Sequence, residues 1–296
     1  MKSLFILNPH SGRARDRALL REVIEHGCSR GGVDAVVSLC ERKEDLDGII
    51  GTAERDGFDA VFAVGGDGTV HEIGKRLIGS PLALGIIPTG SGNGLARHLG
   101  ISLDPAKAVA AIHGAATTMI DTGVAAGTPF LGLAGVGFDA EVAHRFGRHG
   151  RRGLETYIQE ALLLIRRYEP ARYRLFIDGE TSEKRALLVA VANSSQYGNE
   201  ARIAPAASLQ DGLLDVCVVE EPPILAVPFL LRKLFAGTLG ERDGVIIRRG
   251  KVVSIERDSA GPGHLDGEPV HFPARIDCSI RPASLRILIP RGSRAI

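Results

Sequence analysis

The stretch that most constrains what this chain can fold into is Ala60-Val61-Phe62-Ala63-Val64-Gly65-Gly66-Asp67-Gly68-Thr69. An apolar run ends in glycines around one carboxylate, and Val70, Ile73, Leu77 and Ile78 then recur at helical spacing. That pattern predicts a buried strand, a tight turn and a helix. Thr69 and Glu72 have the spacing of a capping box at the helix start. Glycines let the backbone approach a ligand closely, and the N–H groups at a helix start attract anions. Asp67 is then a negative charge where a phosphate is expected. A magnesium ion, or a proton to be moved, reconciles the two. Taken alone, the motif also fits an ordinary strand-to-helix turn.

The flanking sequence repeats the alternation. Ser3 to Leu7 reads as a strand, Asp16 to about His26 as a helix, Val33 to Leu39 as a strand and Glu44 to about Asp56 as a helix. Leu82 to Ile87 is another strand, followed by Pro88-Thr89-Gly90-Ser91-Gly92-Asn93-Gly94 and a short helix. Asp104-Pro105 opens the next helix, with Asp at the N-cap and Pro at the first helical position. Alternation up to about residue 115 predicts a parallel sheet with helices on its faces, and ligands bind such sheets at the carboxyl ends of the strands. Asn8-Pro9-His10-Ser11-Gly12, the Gly65–Thr69 turn and Thr89-Gly90-Ser91-Gly92-Asn93 all fall at that end. Their hydroxyls, amides and glycines suit an anion. Neither a G-x-x-x-x-G-K-[ST] loop nor a G-x-G-x-x-G fingerprint after the first strand is present.

After about Asp121 strand-like runs follow one another: Thr128–Leu133, Tyr173–Ile177, Leu187–Ala192, Leu213–Val219, Val245–Ile247, Val252–Ile255 and Arg275–Ile280. Two helices, about Leu154–Arg167 and Ile224–Phe235, interrupt them. The expected organisation is an α/β domain over 1–121 and a mainly antiparallel β-sandwich over 122–296, the last strand, Leu285–Ile289, being free to return to the first domain. The helix at Leu154 is amphipathic and flanked by Arg148, Arg151, Arg152, Arg166 and Arg167. It fits a core helix with a solvated rim, or a segment lying on an anionic membrane surface.

Asp266-Gly267-Glu268 and Asp178-Gly179-Glu180 carry the same letters. Asp-Gly between strands is a hairpin signal, and the second copy is read as one. For the first copy a general base beside a metal-facing carboxylate is the functional reading. The cluster Asn193 to Asn199 and the segment from Ala204-Pro205 to Asp211-Gly212-Leu213 are polar, and oxygen ligands around Asp211 would suit Mg²⁺ or Ca²⁺. A turn opening the next strand is the plainer reading.

Lys plus Arg (36) against Asp plus Glu (35) leaves +1 over 296 residues, with no tryptophan. Bulk charge and aromatic content therefore point away from a nucleic-acid partner. Cys28, Cys40, Cys217 and Cys278 lie far apart without a C-x-x-C, which suits reduced thiols in a cytoplasmic setting. The apolar run after Met1 is too short for a signal peptide, and no run reaches the ~20 residues that span a bilayer.

Together the motifs resemble the diacylglycerol kinase catalytic-domain family, which includes sphingosine and ceramide kinases and soluble bacterial lipid kinases. They come in family order over nearly the whole chain: Asn8–Gly12; Gly65–Thr69 with Glu72; Gly90–Asn93; Gly137-Phe138-Asp139-Ala140; Asn193 to Gly198; Ala204-Pro205 with Asp211-Gly212; Asp266-Gly267-Glu268. The resemblance implies an ATP-dependent lipid kinase of two domains, with the reaction in a cleft between them. By it Asn8, Pro9, His10, Ser11, Gly12, Cys40, Gly65, Gly66, Asp67, Gly68, Thr69, His71, Glu72, Thr89, Gly90, Ser91, Gly92 and Asn93 are expected to line the nucleotide site. Asp67 would hold catalytic Mg²⁺ or order the phosphates. Glu268, with Asp266 beside it, would take the proton from a lipid hydroxyl. Asp211 with the carbonyls of Ser208 and Leu213 matches a structural Mg²⁺ or Ca²⁺ site, and Asp139 matches a contact to the acceptor's polar head. The implied partner is a membrane lipid at a bilayer surface, reached by a peripheral protein, and a homodimer is compatible.

His71, where bacterial members commonly carry Asn, and Gly-Ser-Gly-Asn at 90–93 look more like the sphingosine and ceramide branch, and Cys40 stands where a nucleotide-contacting Thr is common. Two rivals remain open. An NAD kinase shares the Gly-Gly-Asp-Gly loop and the two-domain plan, and a non-catalytic nucleotide- or lipid-binding regulator could retain the fold.

Overall fold

The computed structural model describes residues 1–9, 17–148, 159, 161, 163–165 and 167–293. Two compact units separate, Met1–Ile120 with Ala283–Ile296, and Asp121–Pro282.

In the first unit β1 (Lys2–Leu7), β2 (Asp34–Leu39), β3 (Ala60–Gly65) and β4 (Ala83–Pro88) form a parallel sheet in the order β2-β1-β3-β4. Helices α1 (Arg17–Arg30), α2 (Leu46–Arg55) and α3 (Asp67–Leu77) alternate with these strands, and α4 (Gly94–His98) and α5 (Pro105–Ala111) follow β4. Every residue of β3 and β4 is buried, as expected for central strands covered on both faces. Phe5 and Phe62, cross-strand partners, stack with ring centroids 4.4 Å apart at the centre of this sheet. Asp104 caps α5 as its sequence predicts, accepting from the N–H groups of Ala106 and Lys107 with Pro105 at the first helical position.

The start of α3 corrects one expectation. The helix begins at Asp67 with Gly66 as an N-cap that makes no side-chain bond, so Thr69 and Glu72 form no capping box. Thr69 already lies within the helix, and its hydroxyl instead accepts from Asn8 Nδ2 at 2.9 Å.

The second unit is a mainly antiparallel sandwich. β5 (Ala116–Ala125) enters it and pairs with β6 (Thr128–Phe130). One layer contains β7 (Leu133–Gly137), β10 (Leu188–Ala192), β11 (Leu214–Val219), β12 (Val245–Gly250), β14 (Gly261–Leu265) and β15 (Glu268–Phe272), in the order β12-β11-β10-β7-β14-β15. The other contains β8 (Ala171–Ile177), β9 (Glu180–Ala186), β13 (Val252–Glu256) and the first part of β16 (Arg275–Ile289). Phe130, Val136, Tyr173, Val189, Val216, Val253 and Ile276 belong to the core between the layers. Leu285–Ile289 is no separate strand. It is the last part of β16, which from Ala283 onward belongs to the first unit, where Ile287 pairs in parallel with Leu84 of β4.

α6 (Phe138–Arg148) was not expected, and α7 (Val227–Ala236) occupies the expected segment near Ile224. Most of the helix expected over 154–167, with Arg151, Arg152 and Arg166, lies outside the described residues.

Phe62 ties three strands of the first unit together. Truncation by Phe62→Ala is expected to cost about 3–5 kcal/mol, read as a lowered urea midpoint for that unit.

Candidate functional site

The carboxyl ends of β1, β2, β3 and β4 lie at one edge of the parallel sheet, which gathers the segments after Leu7, Leu39, Gly65 and Pro88. Thr89 N donates to Gly65 O at 2.9 Å and Asn8 N to Val64 O at 3.3 Å, so three of these segments are joined through the backbone. His10, Ser11 and Gly12 lie outside the described residues.

Two glycine turns meet here back to back. A Cβ on Gly90 would lie 2.5 Å from Gly66 Cα, so neither turn could approach the other with a side chain at position 90. Asp67 closes the contact: Oδ2 accepts from Asn93 N at 2.7 Å and Oδ1 from Gly94 N at 2.6 Å. Asn93 holds the left-handed conformation at φ 53°, accepts from Gly90 N and donates Nδ2 to Gly90 O at 2.8 Å. Arg97 Nε donates to Gly92 O at 3.0 Å. Gly66, Asp67, Gly68, Thr89, Gly90 and Gly92 are half-buried and Ser91 exposed, which leaves a rigid polar rim open to a ligand.

Other residues expected at the nucleotide site have internal duties. Glu72 pairs with Lys75 Nζ at 2.8 Å and Arg76 Nη1 at 2.6 Å, and Arg76 also reaches Asp47 at 2.8 Å. Burial pushes the Glu72 carboxyl up, but these two cations outweigh it and hold the group below the usual range. Cys40 is buried and donates its thiol to Arg42 O at 3.0 Å. Burial and the nearby Asp45 carboxylate raise its pKa, which keeps the thiol protonated. His71 is buried on α3.

In the second unit Asp266 and Gly267, at φ 51° and 85°, form the two-residue turn between Leu265 and Glu268, which pair across β14 and β15. Asp178 and Gly179, at φ 46° and 93°, do the same between Ile177 and Glu180. Both copies are thus hairpins with positive φ at both turn residues. In both, the Asp carboxylate holds backbone from elsewhere. Asp178 Oδ1 accepts from Lys251 N at 3.0 Å and Val252 N at 2.9 Å, and these amides hold its carboxyl below the usual range. Asp266 Oδ1 accepts from Gly132 N at 2.7 Å and Leu133 N at 3.0 Å, and Oδ2 from Leu131 N at 2.9 Å. Gly132 O accepts in turn from Asn193 N and Ser194 N, joining the polar 193–199 segment to the turn. Glu268 is exposed, with no hydrogen bond or ion pair to its side chain among the described residues.

Asp139, at the start of α6, is buried. Its Oδ1 accepts from Ala140 N at 2.8 Å, and its Oδ2 from Tyr197 Oη at 2.8 Å and His264 Nε2 at 2.9 Å. With the carboxylate as acceptor, Nε2 carries the imidazole proton. A Cβ on Gly135 would stand 2.2 Å from His264 Nε2 and 2.5 Å from Asp139 Oδ2, so only glycine accommodates the pair on that strand. Sequence reasoning missed His264. Its one signal was its place two residues before Asp266, on the same hairpin.

The set expected to bind a structural cation is arranged otherwise. Asp211 Oδ1 accepts from Leu213 N at 3.0 Å, and Ser208 Oγ accepts from Gln210 N at 3.2 Å. Arg249 Nη1 lies 3.6 Å from Asp211 Oδ2. Among the described residues no three His, Cys, Asp or Glu side chains are grouped to hold a metal. With Arg249 already facing the Asp211 carboxylate, a second cation held by Ser208, Asp211 and Leu213 would stand against the guanidinium, so in this arrangement they do not suit bound Mg²⁺ or Ca²⁺. At Asp67 the chemistry does fit. Mg²⁺ beside a nucleotide needs only one or two carboxylates besides phosphate oxygens and water, and Asp67 presents one carboxylate on the half-buried rim.

Comparison with known proteins gives two family matches. Residues 2–125 match the diacylglycerol kinase catalytic domain, and residues 132–289 match the YegS C-terminal NAD kinase beta sandwich-like domain. A diacylglycerol kinase of Mycobacterium tuberculosis (strain ATCC 25618 / H37Rv) is 32% identical over 271 residues, 88% of this chain and 86% of that one. A protein of Pseudomonas putida KT2440, named as a YegS-like lipid kinase, is 30% identical over 254 residues, 84% and 83% of the two chains. A solved chain from Bacillus anthracis str. Sterne matches with a TM-score of 0.83 at 25% identity, covering 99% of this chain and 96% of that one.

The ion pairs of Glu72 set a pH dependence. A carboxyl held low in the folded state contributes stability above its unfolded pKa and loses it as pH falls through the folded value. Glu72→Gln is expected to cost about 1 kcal/mol at neutral pH. In thermal melts its deficit against the parent should vanish on acidification below the usual carboxylate range.

Proposed function

The chain belongs to the diacylglycerol kinase catalytic-domain family, with a YegS-type second domain, and is a lipid kinase; from this we propose that it transfers the γ-phosphate of ATP to the hydroxyl of a diacylglycerol-like or long-chain-base-like lipid. The observation that carries the nucleotide half is the joining of the two half-buried glycine turns by Asp67, at the carboxyl edge of a parallel sheet. Backbone N–H groups in such turns suit phosphate oxygens. Phosphoryl transfer asks mainly for positioning and charge neutralisation.

In this reading Gly66, Gly68, Gly90, Ser91 and Gly92 cradle the phosphates. Asp67 would hold the nucleotide's Mg²⁺, whose chemistry when bound is to neutralise charge on the transferred phosphoryl group. Asn8 supports the rim through Thr69. Glu268 is the general base: it takes the proton from the lipid hydroxyl while that oxygen bonds to the γ-phosphorus and the bond to ADP breaks. Asp266 is a positioning residue, since its carboxylate is committed to three amides of 131–133 and sets the turn that presents Glu268. Asp139, steadied by Tyr197 and His264, is assigned to the acceptor's polar head. No helix among the described residues is long and apolar enough to cross a membrane, so the substrate would be met at a bilayer surface.

The likeness of the second domain to that of NAD kinases favours one second reading, phosphorylation of NAD. Incubation with γ-labelled ATP, a total lipid extract and NAD separates the two. Label in the organic phase supports the lipid reading, and label on NAD alone overturns it.

Glu268→Gln is expected to lower kcat by about 10²–10⁴-fold with an unchanged melting temperature. Near-parental turnover would remove Glu268 as base. Asp266→Ala should lower both activity and melting temperature, because it frees three backbone donors. Asp67→Ala should abolish transfer and weaken ATP binding in a fluorescent-nucleotide titration.

A further inference from the structure

The turn around Asp211 is where the family resemblance implies a cation, and a cationic side chain of the chain itself, Arg249, faces that carboxylate. We propose that the Arg249 guanidinium takes the place of that cation, so that the second unit holds its Asp211–Asp215 turn without a divalent ion.

Arg249 lies on β12 and is the cross-strand partner of Asp215 on β11. The antiparallel register therefore fixes where the guanidinium begins. From there Nε lies 3.0 Å from Asp215 Oδ1, Nη1 lies 3.6 Å from Asp211 Oδ2, and Nη2 donates to Ala206 O at 2.7 Å. One planar cation thus reaches two carboxylates and a backbone carbonyl, the ligand types that a hard metal ion gathers. The segment is braced on its other side by Asp121, whose Oδ2 accepts from Gly212 N at 2.8 Å.

The electrostatics explain why some cation is needed. Asp215 is 2% exposed, and a buried carboxylate must be paired or hydrogen-bonded. Arg249 supplies the positive charge beside it, reaches on to the more exposed Asp211, and as a side chain cannot be removed by a chelator. A divalent ion added at Asp211 would sit within a few ångströms of the guanidinium, a like-charge contact that disfavours it.

The inference is independent of the phosphotransfer reading and is tested on the full chain without nucleotide. Thermal melts are recorded in EDTA, in Mg²⁺ and in Ca²⁺. The parent chain is expected to melt within about 1 °C of the same temperature in all three, since nothing is bound to be removed. Arg249→Met is expected to melt about 5 °C or more lower in EDTA and to recover in Mg²⁺ or Ca²⁺, whereas Arg249→Met with Asp211→Asn should not recover. A parent chain destabilised by EDTA would overturn the proposal. So would an Arg249→Met protein that no cation rescues, because Arg249 would then be an ordinary ion-pair partner and not a metal's replacement. Should Arg249→Met fail to fold, calorimetric titration of the parent chain with Ca²⁺ decides. No binding is expected, and binding tighter than about 0.1 mM (roughly −5.5 kcal/mol) that Asp211→Asn abolishes would overturn it.

Discussion

The carboxyl edge of the first unit's parallel sheet depends on one carboxylate accepting two backbone hydrogens. Asp67 reaches from the start of α3 to the amides of Asn93 and Gly94, at 2.7 and 2.6 Å. Bonds to an ionised acceptor contribute about 1.5–3 kcal/mol each, enough to hold two turns together that share no regular hydrogen-bond ladder. The glycines then follow as a requirement. Gly66 and Gly90 touch through their backbones, and a Cβ on Gly90 would collide with Gly66. A residue that reads in the sequence as a charge at an anion-binding turn is in the structure the strut between the two turns.

The second unit uses the same device twice. Asp178 and Asp266 each occupy the first position of a two-residue turn with positive φ, and each accepts amides from a neighbouring segment. The difference lies in what is held. Asp178 holds the start of β13, an ordinary sandwich strand. Asp266 holds 131–133, whose Gly132 carbonyl then anchors Asn193 and Ser194. Identical letters and identical local geometry therefore serve different neighbourhoods, and local sequence could not have told which copy stands beside the polar 193–199 segment.

Much of this was legible from residue pattern. The alternation of buried strands and helices through residue 115 reads directly from apolar periodicity, and β3 and β4 are buried throughout because helices cover both faces. The Asp104-Pro105 cap was readable because its partners are two and three residues away. What failed was of another kind. β9 is almost entirely polar, Glu180 to Ala186, and is a strand because the turn at Asp178-Gly179 folds it onto β8. β14 and β15 carry Gly and Pro, which count against strands locally but are accommodated next to one another at the end of the layer. The capping box failed because the true N-cap, Gly66, lies earlier, and Thr69 was recruited by Asn8 from 61 positions away. His264 and Arg249 were invisible for the same reason. Each acquires its meaning from a partner more than 30 residues distant, 125 for His264 with Asp139 and 34 for Arg249 with Asp215.

The accounting of negative charge then bears on the proposed base. Most carboxylates of the motifs already have partners: Asp67 has Asn93 and Gly94, the buried Asp139 has Tyr197 and His264, Asp266 has the 131–133 amides, and the exposed Asp211 faces Arg249. Glu72 is spent on Lys75 and Arg76 and its carboxyl is held low for that reason. Glu268 stands exposed on the turn that Asp266 holds, with no partner to its side chain among the described residues, so the proposed base is the one motif carboxylate that no donor or cation there occupies.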